Sequence, residues 1–132
     1  MPSAGDFRRL AGALWWNRGE TPERAMVIVQ VSYNYAEDPE VWARAYTPER
    51  ARMFVDLPGL AWKIWLDAPE EKRTGGIYCF QDRASAEAYV NGPLLGRHRA
   101  NPALSNLTVT MSDTRDEMGR ITRAPTGVPA HA

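Results

Sequence analysis

Residues 25–35, AMVIVQVSYNY, are the strongest strand signal in the chain, dense in β-branched and aromatic side chains. Alternation puts Val27, Val29, Val31, Tyr33 and Tyr35 on one face and Ile28, Gln30, Ser32 and Asn34 on the other. The order of the elements that follow decides the architecture.

Residues 37–57 carry helical periodicity, with Val41, Trp42, Ala45, Met53 and Phe54 as a buried stripe. Pro48 should kink that helix or divide it, and Pro58-Gly59 stops it. A strand is expected over 60–67, then a charged loop APEEKR, then a strand over 75–81 opened by two glycines. Asp82 caps a second helix over 82–91, which Gly92-Pro93 breaks. A short irregular or helical piece, LLGRHRA, leads to a fourth strand over 106–113. Residues 6–19 read as a short amphipathic helix in which Trp15 and Trp16 anchor an N-terminal extension. TPER occurs at 21–24 and 47–50, and is read as a shared helix-start signal. From about Thr114 the chain is polar and aperiodic, expected to be mobile or draped over a partner.

The resulting order, β-α-β-β-α-β, is that of the split βαβ, ferredoxin-like α+β fold with a four-stranded antiparallel sheet. The division is an extension over 1–24, a domain over 25–113 and a tail over 114–132. With both helices on one side, the other sheet face is left bare, and a second copy of the chain is its simplest cover. A homodimer is therefore expected.

The totals narrow the partners. Sixteen basic and sixteen acidic residues leave no net charge to attract phosphate, so neither nucleic acid nor an anionic membrane is expected. Cys79 is the only cysteine, which rules out an intrachain disulfide and suits a reducing cytoplasm. His98 and His131 are far apart, with no zinc-type spacing, so no metal site is expected. No signal peptide or membrane span is expected either.

The run PGLAWKIWLDAPEEKRTGGIYCFQDRASAEAYV resembles the YdhR-type monooxygenases of the dimeric α+β barrel superfamily. Its carriers are PG followed by WKIW, then GGIYCF, then a helix opening DRASAEAYV. The resemblance covers about residues 25–113. It implies a dimer whose two sheets form a barrel, with a pocket in each subunit between sheet and helices. It also implies oxygenation of phenolic polycycles without flavin, metal or haem, through reaction of the substrate anion with oxygen. Some superfamily relatives bind haem through a histidine after the second helix. Here Arg99, not His98, stands at that offset.

The candidate site residues are aromatic and polar side chains on these elements. Trp62 alternates with Leu60, Ile64 and Leu66, so it is expected on the helix-covered face as core or pocket wall. Trp65 shares a more polar face with Ala61, Lys63 and Asp67, and is expected in the dimer barrel. Tyr78 is a candidate hydroxyl donor or proton relay, and Phe80 lies on its face. His98 is the candidate base, flanked by Arg97 and Arg99, which are suited to a carboxylate or phenolate. Asn34 and Tyr89 complete the set as substrate-binding candidates. The expectation is a cofactor-independent monooxygenase-like tailoring enzyme acting on an aromatic or polyketide-like substrate. A non-redox cyclase or isomerase, or a small-molecule-binding protein without turnover, are the alternatives.

Overall fold

Strand β1 (Val27–Tyr35) is an inner strand of the sheet. It pairs antiparallel with β3 (Arg73–Phe80) on one side and β4 (Leu104–Asp113) on the other. β2 (Leu60–Ala68) pairs with β3, giving the order β2-β3-β1-β4 of the ferredoxin-like fold. The computed structural model describes residues 26–126. The helix expected over 6–19, Trp15, Trp16, the first TPER and His131 lie outside the described residues.

Pro48 divides the first helical segment rather than kinking it. α1 (Pro39–Ala43) is capped by Asp38, whose carboxylate accepts from the Glu40 N–H. α2 (Pro48–Val55) restarts after Thr47, whose hydroxyl accepts from the Arg50 N–H. Proline at the first turn loses no helical hydrogen bond there, which makes it a clean restart. α3 (Arg83–Val90) begins at Asp82, which accepts from the Ser85 N–H at 2.7 Å. The piece after Gly92 is fully helical, α4 (Pro93–Ala100).

All of these pack on one sheet face. Val27, Val29, Val31 and Phe80 meet Phe54 of α2, Ala86 and Tyr89 of α3, and Leu95 of α4 in one buried cluster. The residues beyond Thr114 depart from the aperiodic tail expected of them. They form α5 (Asp116–Ile121) and fold back on their own chain. Thr114 bonds Met26 at the start of β1, and the Trp62 indole donates to the Pro125 carbonyl at 2.9 Å. Part of the second sheet face is thus covered from within the chain, while Ile64 and Leu66 on it stay exposed. No helix among the described residues is long and apolar enough to cross a membrane.

Candidate functional site

The site begins with a register slip. Leu60 stands opposite Phe80 but Trp62 stands opposite Cys79, so β2 carries one extra residue at Ala61. A bulge of this kind turns every later side chain to the other face. Leu60 is therefore core, while Lys63 and Trp65, opposite Tyr78 and Gly76, face the helices. Trp62, Ile64 and Leu66 face away. Both tryptophan expectations are corrected: the bulge, which simple alternation does not show, exchanges their faces.

Lys63 and Trp65 enter a small cavity between sheet and helices, closed by Arg50 and Phe54 of α2, Tyr89 of α3 and His98 of α4. Its volume is about 20 Å³, room for little more than one water-sized group. Against it lies a larger cleft of about 280 Å³, bordered by Trp42, Met53, Leu94, Arg97 and Asn101. Arg50, Phe54 and His98 belong to both. Among the described residues, no carboxylate side chain lines either space.

Hydrogen bonds hold this geometry. The Trp42 indole donates to the Tyr46 hydroxyl at 2.9 Å, and Tyr46 bonds the Thr74 hydroxyl, which donates to the Leu66 carbonyl. Trp42 also stacks on Tyr35 with centroids 4.6 Å apart. The α1–α2 segment is thereby pinned over the sheet. Deeper in, Tyr89 donates to the Tyr78 hydroxyl at 2.8 Å. Tyr78 also lines the inner cavity. His98 Nδ1 lies 3.0 Å from the Leu94 carbonyl, which can only accept. Nδ1 therefore carries the proton, and Nε2 of the neutral ring is the acceptor.

Burial shifts the proton affinity of Tyr78, Tyr33 and Lys63. It pushes the Tyr78 hydroxyl far above its ordinary range, helped by neighbouring Tyr89. Tyr33 is pushed up to about 12 for the same reason. Tyr78 is thus a neutral donor and not a base. Lys63 moves the other way, to about 7, chiefly through burial and then through the Arg50 charge. Its Nζ stands 3.3 Å from the Trp65 centroid, 3.5 Å from Phe54 and 4.6 Å from Tyr78.

The sequence profile described as "Putative mono-oxygenase ydhR" matches residues 28–125. The chain belongs to this family. The match runs through α5, past the boundary at 113 expected from the motifs. Solved structures share the fold, among them the following. The NE2512 protein of unknown function from Nitrosomonas europaea is 20% identical over 70% of this chain and 92% of its own, with a TM-score of 0.54. SnoaB, a cofactor-independent oxygenase from Streptomyces nogalater, is 17% identical over 69% and 94%, at 0.52. The haem degrader MhuD from Mycobacterium tuberculosis is 18% identical over 67% and 95%, at 0.50. At such identities the likeness is one of fold. No curated protein matches in sequence.

In this YdhR-family chain the fold gathers some expected residues and disperses others. Tyr78, Tyr89, Trp65 and His98 line the inner cavity, and Arg97 lines the outer cleft. Phe80 is fully buried behind them in the core. Asn34 lies elsewhere: its amide donates to the Glu71 and Lys72 carbonyls and accepts from Asn106, tying the β2–β3 turn to β4. Arg99 donates to the Val90 carbonyl instead of facing a ligand. Sequence reasoning missed Lys63, Arg50, Tyr33 and Phe54. A lysine between two tryptophans was the available signal, but only the bulge turns it inward.

Proposed function

We propose that this protein is a cofactor-independent monooxygenase acting on an aromatic or polyketide-like substrate. The observation that carries the proposal is the aromatic lining of the cavity between sheet and helices, with Arg50 and Arg97 at its walls and no carboxylate side chain among the described residues. Such a lining favours a ligand that reacts as its anion. Membership in the YdhR family and the shared fold of an oxygenase named as cofactor-independent support it.

The chemistry needs dioxygen as the oxidant. A carbanion formed beside a phenol passes electrons to dioxygen, gains one oxygen atom and loses the second as water. A ring methylene thus becomes a carbonyl. The protein binds the substrate, lets Tyr78 donate to a substrate oxygen and keeps water away, so binding and desolvation do most of the work. A homodimer covering Ile64 and Leu66 belongs to the same proposal, as does a reducing cytoplasm for a chain with one buried cysteine.

The test is oxygen uptake by metal-stripped protein with a panel of anthrone- and naphthol-like phenols, with product mass spectra under labelled dioxygen. One labelled atom in the product, dependent on folded protein, is the expected result. Unlabelled product indicates a cyclase or isomerase, and absence of any product removes the enzyme claim.

A further inference from the structure

Long cationic side chains ordinarily reach past apolar neighbours to water. Lys63 does not. Its stem passes over Gly76, where a Cβ would come within 3.0 Å of Lys63 Cε. Its amine ends among the rings of Phe54, Trp65 and Tyr78. Among the described residues Lys63 has no hydrogen-bond acceptor and no acidic partner. Ring faces attract an ammonium but accept none of its hydrogens in the way an oxygen does. Arg50, the nearest charged group on α2, has the same sign and no salt bridge among the described residues.

Volume then limits what can stand against this amine. The inner cavity, about 20 Å³, admits one oxygen-sized group and excludes a ring. The adjoining cleft, about 280 Å³, has room for the ring and is bordered by Trp42, Met53 and Leu94.

We infer that Lys63 is the catalytic base: its neutral amine takes the proton of a phenolic or enolic hydroxyl that projects alone into the inner cavity, while the aromatic body lies in the outer cleft. This inference deepens the oxygenase reading of the same cavity and rests on it for the later steps. The O–H bond breaks, its electron pair stays on oxygen, and the proton joins the nitrogen lone pair. Aromatic anion and ammonium remain as a neutral pair inside the ring cage. The substrate class is thus an aromatic compound with a hydroxyl at the end of its long axis, free of any charged substituent next to that hydroxyl.

Titratable groups face Lys63 from every packed element: Arg50 from α2, Tyr46 from the α1–α2 turn, Tyr33 and Tyr78 from the sheet, Tyr89 from α3 and His98 from α4. The tyrosines stay neutral across the working range where burial raises them. The Arg50 guanidinium weakens proton binding to Lys63. A bound anion does the reverse and holds the proton in place.

The probe is 2-naphthol, whose ionised form is distinguished by its near-ultraviolet absorbance. At about pH 8, above the Lys63 value of about 7, native protein is expected to bind it as naphtholate without releasing a proton to buffer. Lys63→Met should bind it as the neutral naphthol. Lys63→Arg should still ionise it but release one proton per ligand, read by calorimetry in buffers of different ionisation enthalpy, because a guanidinium cannot accept the proton. Nitrogen NMR of Lys63 in native protein provides a measurement free of any variant: the amine should titrate near neutrality alone and stay protonated with naphthol bound. Naphtholate bound equally by Lys63→Met, proton release by native protein, or no binding of naphthol at all would each overturn the assignment. If Lys63 ionises naphthol yet no phenol takes up oxygen, the oxygenase reading fails and the base assignment stands.

Discussion

Tyr89 donates its hydroxyl hydrogen to Tyr78 at 2.8 Å, and the two rings lie with centroids 4.6 Å apart across the α3–sheet interface. The pair does two things at once. It satisfies a buried hydroxyl on the helix, and it holds the Tyr78 hydroxyl at the cavity wall.

Tyr89→Phe should therefore lower stability by about 1 kcal/mol, since it deletes one buried hydrogen bond, while naphthol binding falls little. Tyr78→Phe should keep the ring packing yet weaken naphthol roughly five- to tenfold, the worth of one hydrogen bond to a ligand oxygen. Thermal melts and binding titrations on both variants separate the two effects. A loss of affinity confined to Tyr89→Phe would show that Tyr78 does not reach the ligand.

Lys63 makes stability depend on pH in a set direction. Its folded pKa, about 7, lies below the ordinary 10.5. Between these values the unfolded chain binds a proton that the folded chain does not, so stability rises as pH increases across that window. Below about 7 both states are protonated and the penalty is constant. Lys63→Met should melt higher than native at neutral pH and lose the rise between neutral and alkaline pH. Chemical denaturation across that range measures it.

The bulge at Ala61 predicts opposite outcomes for two neighbouring tryptophans. Trp65→Ala opens the cage around Lys63 and should weaken naphthol binding roughly tenfold. Trp62→Ala should leave affinity unchanged and release the hold on Pro125, seen as faster amide exchange over 116–126. Equal effects on binding would contradict the exchanged faces.

The two glycines that open β3 are also unequal. A Cβ on Gly75 would lie 1.9 Å from the Val31 carbonyl oxygen, so Gly75→Ala should cost at least about 3 kcal/mol or prevent folding. At Gly76 the nearest atoms are less close: the flexible Lys63 stem at 3.0 Å, the Ile64 carbonyl oxygen at 3.1 Å and the Tyr78 ring edge at 3.3 Å. Gly76→Ala should fold with a loss of about 1–2 kcal/mol and bind naphthol more weakly, because the lysine must move.

Ile64 and Leu66 are 47% and 36% exposed on the sheet face opposite the helices, which is more apolar surface than a lone strand needs to show. Light scattering is expected to give a dimer for native protein and a monomer for Ile64→Lys/Leu66→Lys. A native monomer would remove the homodimer from the proposal.

The strand pattern of 25–35, the caps at Thr47 and Asp82, and the break at Pro48 were legible in the residues, because each is a local backbone preference acting within a few positions. From these came the element order and hence the ferredoxin-like sheet, and the WKIW and GGIYCF runs pointed to the YdhR family. The tertiary structure alone decided which face each side chain takes after Ala61. One extra residue in β2 is set by pairing with β3, a contact remote in sequence that leaves no mark on local alternation. The same slip carried Trp62 out of the site and Lys63 into it. The role of the lysine depends on rings brought from α2, β2 and β3 and on a cavity lining without a carboxylate among the described residues, and both are properties of packing.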